Sequence, residues 1–343
     1  MTGLARRDLL KATLLGAAGL AGAAAAGRTV GAQSPLDGTP PPPTDAYGGE
    51  HTGLEMVMPG PNGEVDHAAN GFNPTDVVTD FDYGTLSTLP NGQTLREYEF
   101  VAVEKEIEIA PGVMFPAWTY NGRVPGPTIR CTAGDRLRVH FVNGTAHPHS
   151  IHFHGFHTAQ MDGLEPVAPG GEFTYEFEAD PFGLHLYHCH TLPLKRHIHK
   201  GLYGGFVIDP KEGRPPAHEL FMMMNAFDTN FDAANEVYAI NTVGFHFQRH
   251  PIQVKVDELI RLYVINIVEF DLINSFHLHA NFFDVYRTGT RLTTDEFTDT
   301  IMLAQGERAI LETRFRHPGQ YMFHAHVSEF AELGWLGFFE VTE

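Results

Sequence analysis

Four histidine pairs of the form His-x-His fall in two matched sets along this chain, and they restrict its fold more than any other feature. Pro148-His149-Ser150-Ile151-His152-Phe153-His154 aligns with Ile273-Asn274-Ser275-Phe276-His277-Leu278-His279. Leu186-Tyr187-His188-Cys189-His190 aligns with Met322-Phe323-His324-Ala325-His326. The offsets, 125 residues from His152 to His277 and 136 from His188 to His324, are close enough to mark one duplicated unit. On a strand, side chains at i and i+2 point to the same face, so each pair can offer two imidazoles to one centre. Eight imidazoles exceed the roughly four ligands of one zinc ion and suit several coppers. Spacing alone would not carry this, because His147-Pro148-His149 and His197-Ile198-His199 share the spacing without fitting the repeat. The duplication carries it.

The texture around the pairs is all-β. Runs such as Glu99 to Val103 and Arg136 to Val142 are separated by turns at Asn121-Gly122 and Ala133-Gly134-Asp135. The pattern resumes after Gly213-Arg214-Pro215-Pro216 with Glu219 to Met224 and Leu259 to Val268. No amphipathic helix of three turns stands out, and each half has the length of one β-sandwich. We therefore divide the chain into a leader at 1–32, a Pro/Gly-rich linker and irregular arm at 33–93, and β-sandwiches at 94–212 and 213–343. Met222-Met223-Met224 alternate faces on a strand and read as packing residues.

The segment His188-Cys189-His190, followed by His197 and Leu202, is the chemically richest. A thiolate with two imidazoles and a weak or absent axial ligand makes a trigonal blue-copper site. His149 lies three residues before His152, so the strand alternation turns it toward a different centre. Cys189 can thus serve one metal while its neighbours His188 and His190 serve others. Cys131, with no such company, reads as a small buried hydrophobe.

Val124-Pro125-Gly126-Pro127-Thr128-Ile129-Arg130, His152-Phe153-His154-Gly155, His188-Cys189-His190 and the His197 to Leu202 segment resemble the motifs of multicopper oxidases built on cupredoxin domains. With two domains the chain is most similar to the two-domain, small laccase-like members, which are related to copper nitrite reductases. The resemblance implies two Greek-key cupredoxin sandwiches and four coppers per chain. It implies a type 1 copper on His149, Cys189 and His197 with Leu202 at the axial position, where a side chain unable to coordinate should raise the potential. It implies His152 and His277 at a type 2 copper, and His154, His188, His190, His279, His324 and His326 at a type 3 pair. It also implies a homotrimer with the cluster shared at the subunit interface.

Two departures from the family pattern matter. Asn274 and Ala325 replace His149 and Cys189 in the second half, and Phe330 falls at the missing third ligand, so only the first half keeps a type 1 site. His197 follows Cys189 by eight residues rather than the usual five, which enlarges the loop at the electron-entry point. The expected reaction is four one-electron oxidations of a donor at the type 1 site, where His197 faces the donor, and passage through Cys189 to the cluster where O2 becomes water. Asp162 and Glu329 are the acidic candidates for proton supply, though both positions also suit surface carboxylates. Nitrite reduction, and electron transfer without turnover, remain as rivals. The position two before His154, where a nitrite reductase carries its carboxylate, is His152. The donor stays open among phenols, aromatic amines, metal ions and small redox proteins.

Composition supplies exclusions. A formal charge of −19 leaves no basic footprint for nucleic acid. Two cysteines cannot build a disulfide framework, and the body holds no long uncharged apolar run to span a membrane. Arg6-Arg7 ahead of a mild Ala/Gly/Leu stretch resembles a twin-arginine export signal, with small residues for cleavage before Gln33. Export to the periplasm or the exterior is the expectation.

Overall fold

The computed structural model describes residues 63–343; the leader at 1–32 and the first part of the linker lie outside the described residues. Among the described residues strands dominate, and the longest helix, Leu194–His199, has six residues. No helix among the described residues is long and apolar enough to cross a membrane.

Two sheets come from the first half. One runs in the order Phe81–Asp82, Thr128–Thr132, Tyr203–Asp209, Gly183–His188, His152–Phe153. The other runs Thr85–Thr88, Thr94–Ala110, Arg136–Asn143, Glu172–Glu178, with Val113–Tyr120 added to the long strand. Strict alternation explains how such strands face a core. In Arg136–Asn143, Leu137, Val139, Phe141 and Asn143 are buried, and the residues between them are half-exposed. Phe100, Ile129, Phe141, Phe153 and Phe206, drawn from both sheets, pack into one core. Asn121 and Gly122, at φ of 55° and 75°, make the tight turn that asparagine and glycine favour.

The second half repeats the plan. Its sheets run Val237–Ile240, His218–Phe227, Ile260–Asn266, Arg308–Thr313, Phe283–Arg287, Glu296–Thr298 and Ile252–Lys255, Leu336–Thr342, Gly319–His324, Ile273–Leu278, Thr300–Ala304. The parallel pairings match between halves. Thr94–Ala110 lies parallel to Arg136–Asn143 as His218–Phe227 does to Ile260–Asn266. Met222 and Met224 enter the second half's own core, while Met223 faces a third core shared with Ile107, Phe115 and Leu186 of the first half. Arg130 reaches across the same boundary, bonding Asp209 of its own half and Glu219 of the other.

From residue 63 onward the arm is more ordered than its composition suggests. Phe72 and Val77 join the shared core, and the Val78 carbonyl accepts from the Phe221 amide. Its strands Phe81–Asp82 and Thr85–Thr88 extend one first-half sheet each. All four side chains of Thr85–Thr88 are exposed, so no hydrophobic alternation announced that strand.

Candidate metal centres

The first centre is assembled from three different places. His149 sits in a short bridge to Val167, Cys189 directly follows the strand Gly183–His188, and His197 lies in the helix Leu194–His199. All three are buried, and their ligand atoms converge within 4.8 Å. Cys189 Sγ is 3.3 Å from His197 Nδ1 and 3.9 Å from His149 Nδ1, and the two imidazole nitrogens are 3.0 Å apart. Burial, then the neighbouring His197 ring, pushes the His149 imidazole down to about 3. Burial, then the Arg196 guanidinium, takes His197 down to about 4. Both rings are therefore neutral at neutral pH, the form that binds metal. Burial pushes the Cys189 thiol up, so its proton must leave in exchange for a cation. The Ser150 amide donates to Cys189 Sγ at 3.4 Å. A buried thiol closing on two neutral imidazoles is the donor set of a trigonal copper site. Leu202 is fully buried in the same core as Cys189 and accepts the Cys189 amide on its carbonyl.

The remaining histidines form two groups of four. In the first half His152 pairs across the sheet with His188, and the ligand atoms of His152, His154 and His188 lie within 4.8 Å. In the second, His277 pairs with His324, and His277, His279 and His324 converge equally closely. His190 and His326 complete the groups, with ring centroids 5.4 Å from His152 and 5.0 Å from His277. His154 Nε2 stands 3.3 Å from His188 Nε2, and His279 Nε2 stands 2.9 Å from His324 Nε2.

The other ring nitrogens are tied down in the same way in both halves. His188 Nδ1 donates to the Cys189 carbonyl and His324 Nδ1 to the Ala325 carbonyl. His152 Nδ1 donates to the Asp162 carbonyl and His277 Nδ1 to that of Asp299. Such bonds fix the tautomer and leave Nε2 as the free lone pair. Burial, then the charge of His188, lowers His154 to about 2; burial lowers His188 to about 4.

The duplicated frame also shows what became of the first centre in the second half. The Cys189 amide bonds the Leu202 carbonyl, and the Leu202 amide bonds the His197 carbonyl. The Ala325 amide bonds the Trp335 carbonyl, and the Trp335 amide bonds the Phe330 carbonyl. Ala325, Phe330 and Trp335 thus stand where Cys189, His197 and Leu202 do. Phe330 stacks on Tyr238 at 4.0 Å and the Trp335 indole is fully buried, so the space is filled by rings. The His197 loop is three residues longer than its counterpart, as the spacing indicated.

Models described as multicopper oxidase match residues 102–213 and 214–343. A solved multicopper oxidase structure superposes with a TM-score of 0.80 at 57% identity, covering 81% of this chain and 100% of that one. The chain belongs to the multicopper oxidase family. Copper is accordingly its cofactor, and the two sandwiches are cupredoxin-like domains. The copper nitrite reductase of Nitrosomonas europaea superposes at a TM-score of 0.69 and 26% identity, covering 73% of this chain and 94% of that one. The copper-containing nitrite reductase of Neisseria meningitidis is 34% identical over 247 residues, 65% of this chain and 63% of that relative's length. This multicopper oxidase is thus similar both to a solved multicopper oxidase and to copper nitrite reductases.

Several candidates resolve on geometry. His199 Nε2 accepts from the Asp228 amide and His147 is exposed beside Trp118, so neither competes for the first centre. Asp162 Oδ1 lies 3.3 Å from His152 Nδ1, whereas Glu329 is exposed on the helix Ser328–Glu332. Sequence reasoning missed Asp299 and Thr300 beside His277, and Trp118 packed 5.0 Å from both His149 and His197. Ser150 and Ser275, whose hydroxyls accept the His190 and His326 amides, could have been found, since they align in the repeat.

Proposed function

We propose that this protein is a laccase-like oxidase that couples four one-electron oxidations of a donor to the reduction of O2 to water, with four coppers per chain. The residues that would hold them are those expected from the motifs: His149, Cys189 and His197 with Leu202 beside them for type 1, His152 and His277 for type 2, and His154, His188, His190, His279, His324 and His326 for type 3. Copper, when bound, supplies the one-electron steps by which four electrons and four protons turn O2 into two waters.

The chain's own residues provide the rest. The helix Leu194–His199 carries His197 at the donor side of the first centre. Cys189 links that centre to the histidines on either side of it, and the His188 Nδ1 bond to the Cys189 carbonyl at 3.0 Å adds a second route beside the covalent one. Asp162 holds His152 in position through its carbonyl and keeps a carboxylate beside it for proton supply.

The observation that carries the oxidase reading is the pair of four-imidazole groups, one in each half. A nitrite-reducing type 2 copper needs three imidazoles and a nearby carboxylate, and would leave most of these eight unexplained. The two groups make no ring contact or hydrogen bond with each other among the described residues, which supports a homotrimer that joins one subunit's first group to the next subunit's second. The twin-arginine-like leader supports export to the periplasm or exterior. Copper-loaded protein supplied with a phenolic donor, O2 and nitrite together tests the reading. O2 uptake at one molecule per four electrons supports it, and nitrite consumption without O2 uptake refutes it.

A further inference from the structure

The helix that carries His197 also concentrates positive charge in a chain whose net charge is −19. Lys195, Arg196 and Lys200 fall within six residues, and none forms an ion pair within the described residues. The carboxylates that face the helix are Glu269 toward Lys195, Glu104 toward Lys200, and Asp228 and Glu236 toward His199. All three cations lie over aromatic rings. The Arg196 guanidinium is 5.1 Å from the Trp118 ring centre, Lys200 Nζ is 5.3 Å from Phe231, and Lys195 Nζ is 5.9 Å from Phe270. Trp118 in turn packs against both His149 and His197. Lys195 and Arg196 are exposed, as is Phe231.

Two fields compete at this face. The net charge of the whole chain repels anions, but screening confines that field to roughly 8 Å at physiological salt. Within that range the exposed Lys195 and Arg196 act directly on an approaching ligand, and such charges steer it. A cation also seats an aromatic ring by attraction to its face.

We propose that the face above His197 docks small aromatic anions, of the phenol-sulfonate or phenol-carboxylate class, as the enzyme's preferred donors. Lys195 and Arg196 hold the anionic group, and the exposed Phe231 seats the ring. This rests on the reading of His197 as the donor side of a type 1 copper. Each donor molecule gives up one electron there, and the phenol proton passes to solvent.

Two measurements on copper-loaded protein test it. The first is binding of redox-inert benzenesulfonate and benzyltrimethylammonium, read by saturation-transfer NMR. Benzenesulfonate binds the native protein, and Lys195→Glu with Arg196→Glu weakens it at least about tenfold. Preference for the ammonium, or indifference to the double substitution, overturns the proposal. The second is anaerobic bleaching of the blue absorption by ferrocyanide and by hexaammineruthenium(II). The ferrocyanide rate falls as salt rises, and Lys195→Glu alone, remote from Trp118, flattens that slope. A ferrocyanide rate that climbs with salt shows that the net charge governs, and overturns the proposal. Loss of the type 1 reading on which this rests shows separately, as an absent blue band, and the NMR measurement still decides the docking site.

Discussion

Cys189 and Ala325 occupy the same node of a duplicated frame, and the difference between a thiol and a methyl decides which half carries the first centre. Cys189→Ser is expected to abolish the blue absorption and donor-driven turnover while copper remains at the histidine groups; metal analysis beside the visible spectrum checks both. Leu202→Met would add a thioether in the buried core beside Cys189 and is expected to lower the potential of the proposed type 1 site in a redox titration. Buried histidines away from the centres add to the acid sensitivity of the copper-free fold. Burial takes His185 to about 4, and burial takes His246 to about 3. Their folded values lie below the unfolded value near 6.5, so the unfolded chain takes up protons first. Stability is thus full above about pH 6.5 and falls as pH drops toward 4. A denaturant midpoint of the copper-free protein that stays flat over that window contradicts this account.

Strands and loops differ in what they add. Glu219 accepts from Arg130, Arg261 and Tyr263, and Arg261 also bonds Glu312, so one carboxylate ties the two halves together. Burial alone would raise the Glu219 carboxyl, but the hydrogen bonds from Arg130 and Tyr263 overcome it and hold the group low. Glu219→Gln takes one carboxylate from each of two guanidiniums, which keep Asp209 and Glu312, and is expected to cost about 2 kcal/mol, read by chemical denaturation. The histidine groups were legible because strand ligands recur with period two and the whole unit is duplicated. The second half's lack of a thiol and a third imidazole was legible too, since Phe330 is found by counting from Ala325. Trp118 and Asp299 were not. Trp118 reaches His149 and His197 from the strand Val113–Tyr120, and Asp299 lies 22 residues beyond His277, so both contacts exist only in three dimensions. The strand Thr85–Thr88 was hidden for another reason: an edge strand with four exposed side chains has no pattern to show.

At the scale of the molecule, each chain holds two four-imidazole groups that it does not itself unite among the described residues. Co-expressing His154→Ala with His279→Ala is therefore expected to restore activity. In a randomly mixed cyclic trimer about a quarter of the interfaces join an intact first group to an intact second one. Recovery near a quarter of the native rate, from two variants that are each inactive, supports the shared site, and no recovery contradicts it. The most direct test of the central claim is the copper content of the fully loaded protein. Quantitative metal analysis is expected to find four coppers per chain, one blue and three at the histidine groups. Two coppers per chain, one blue and one type 2, would contradict the account.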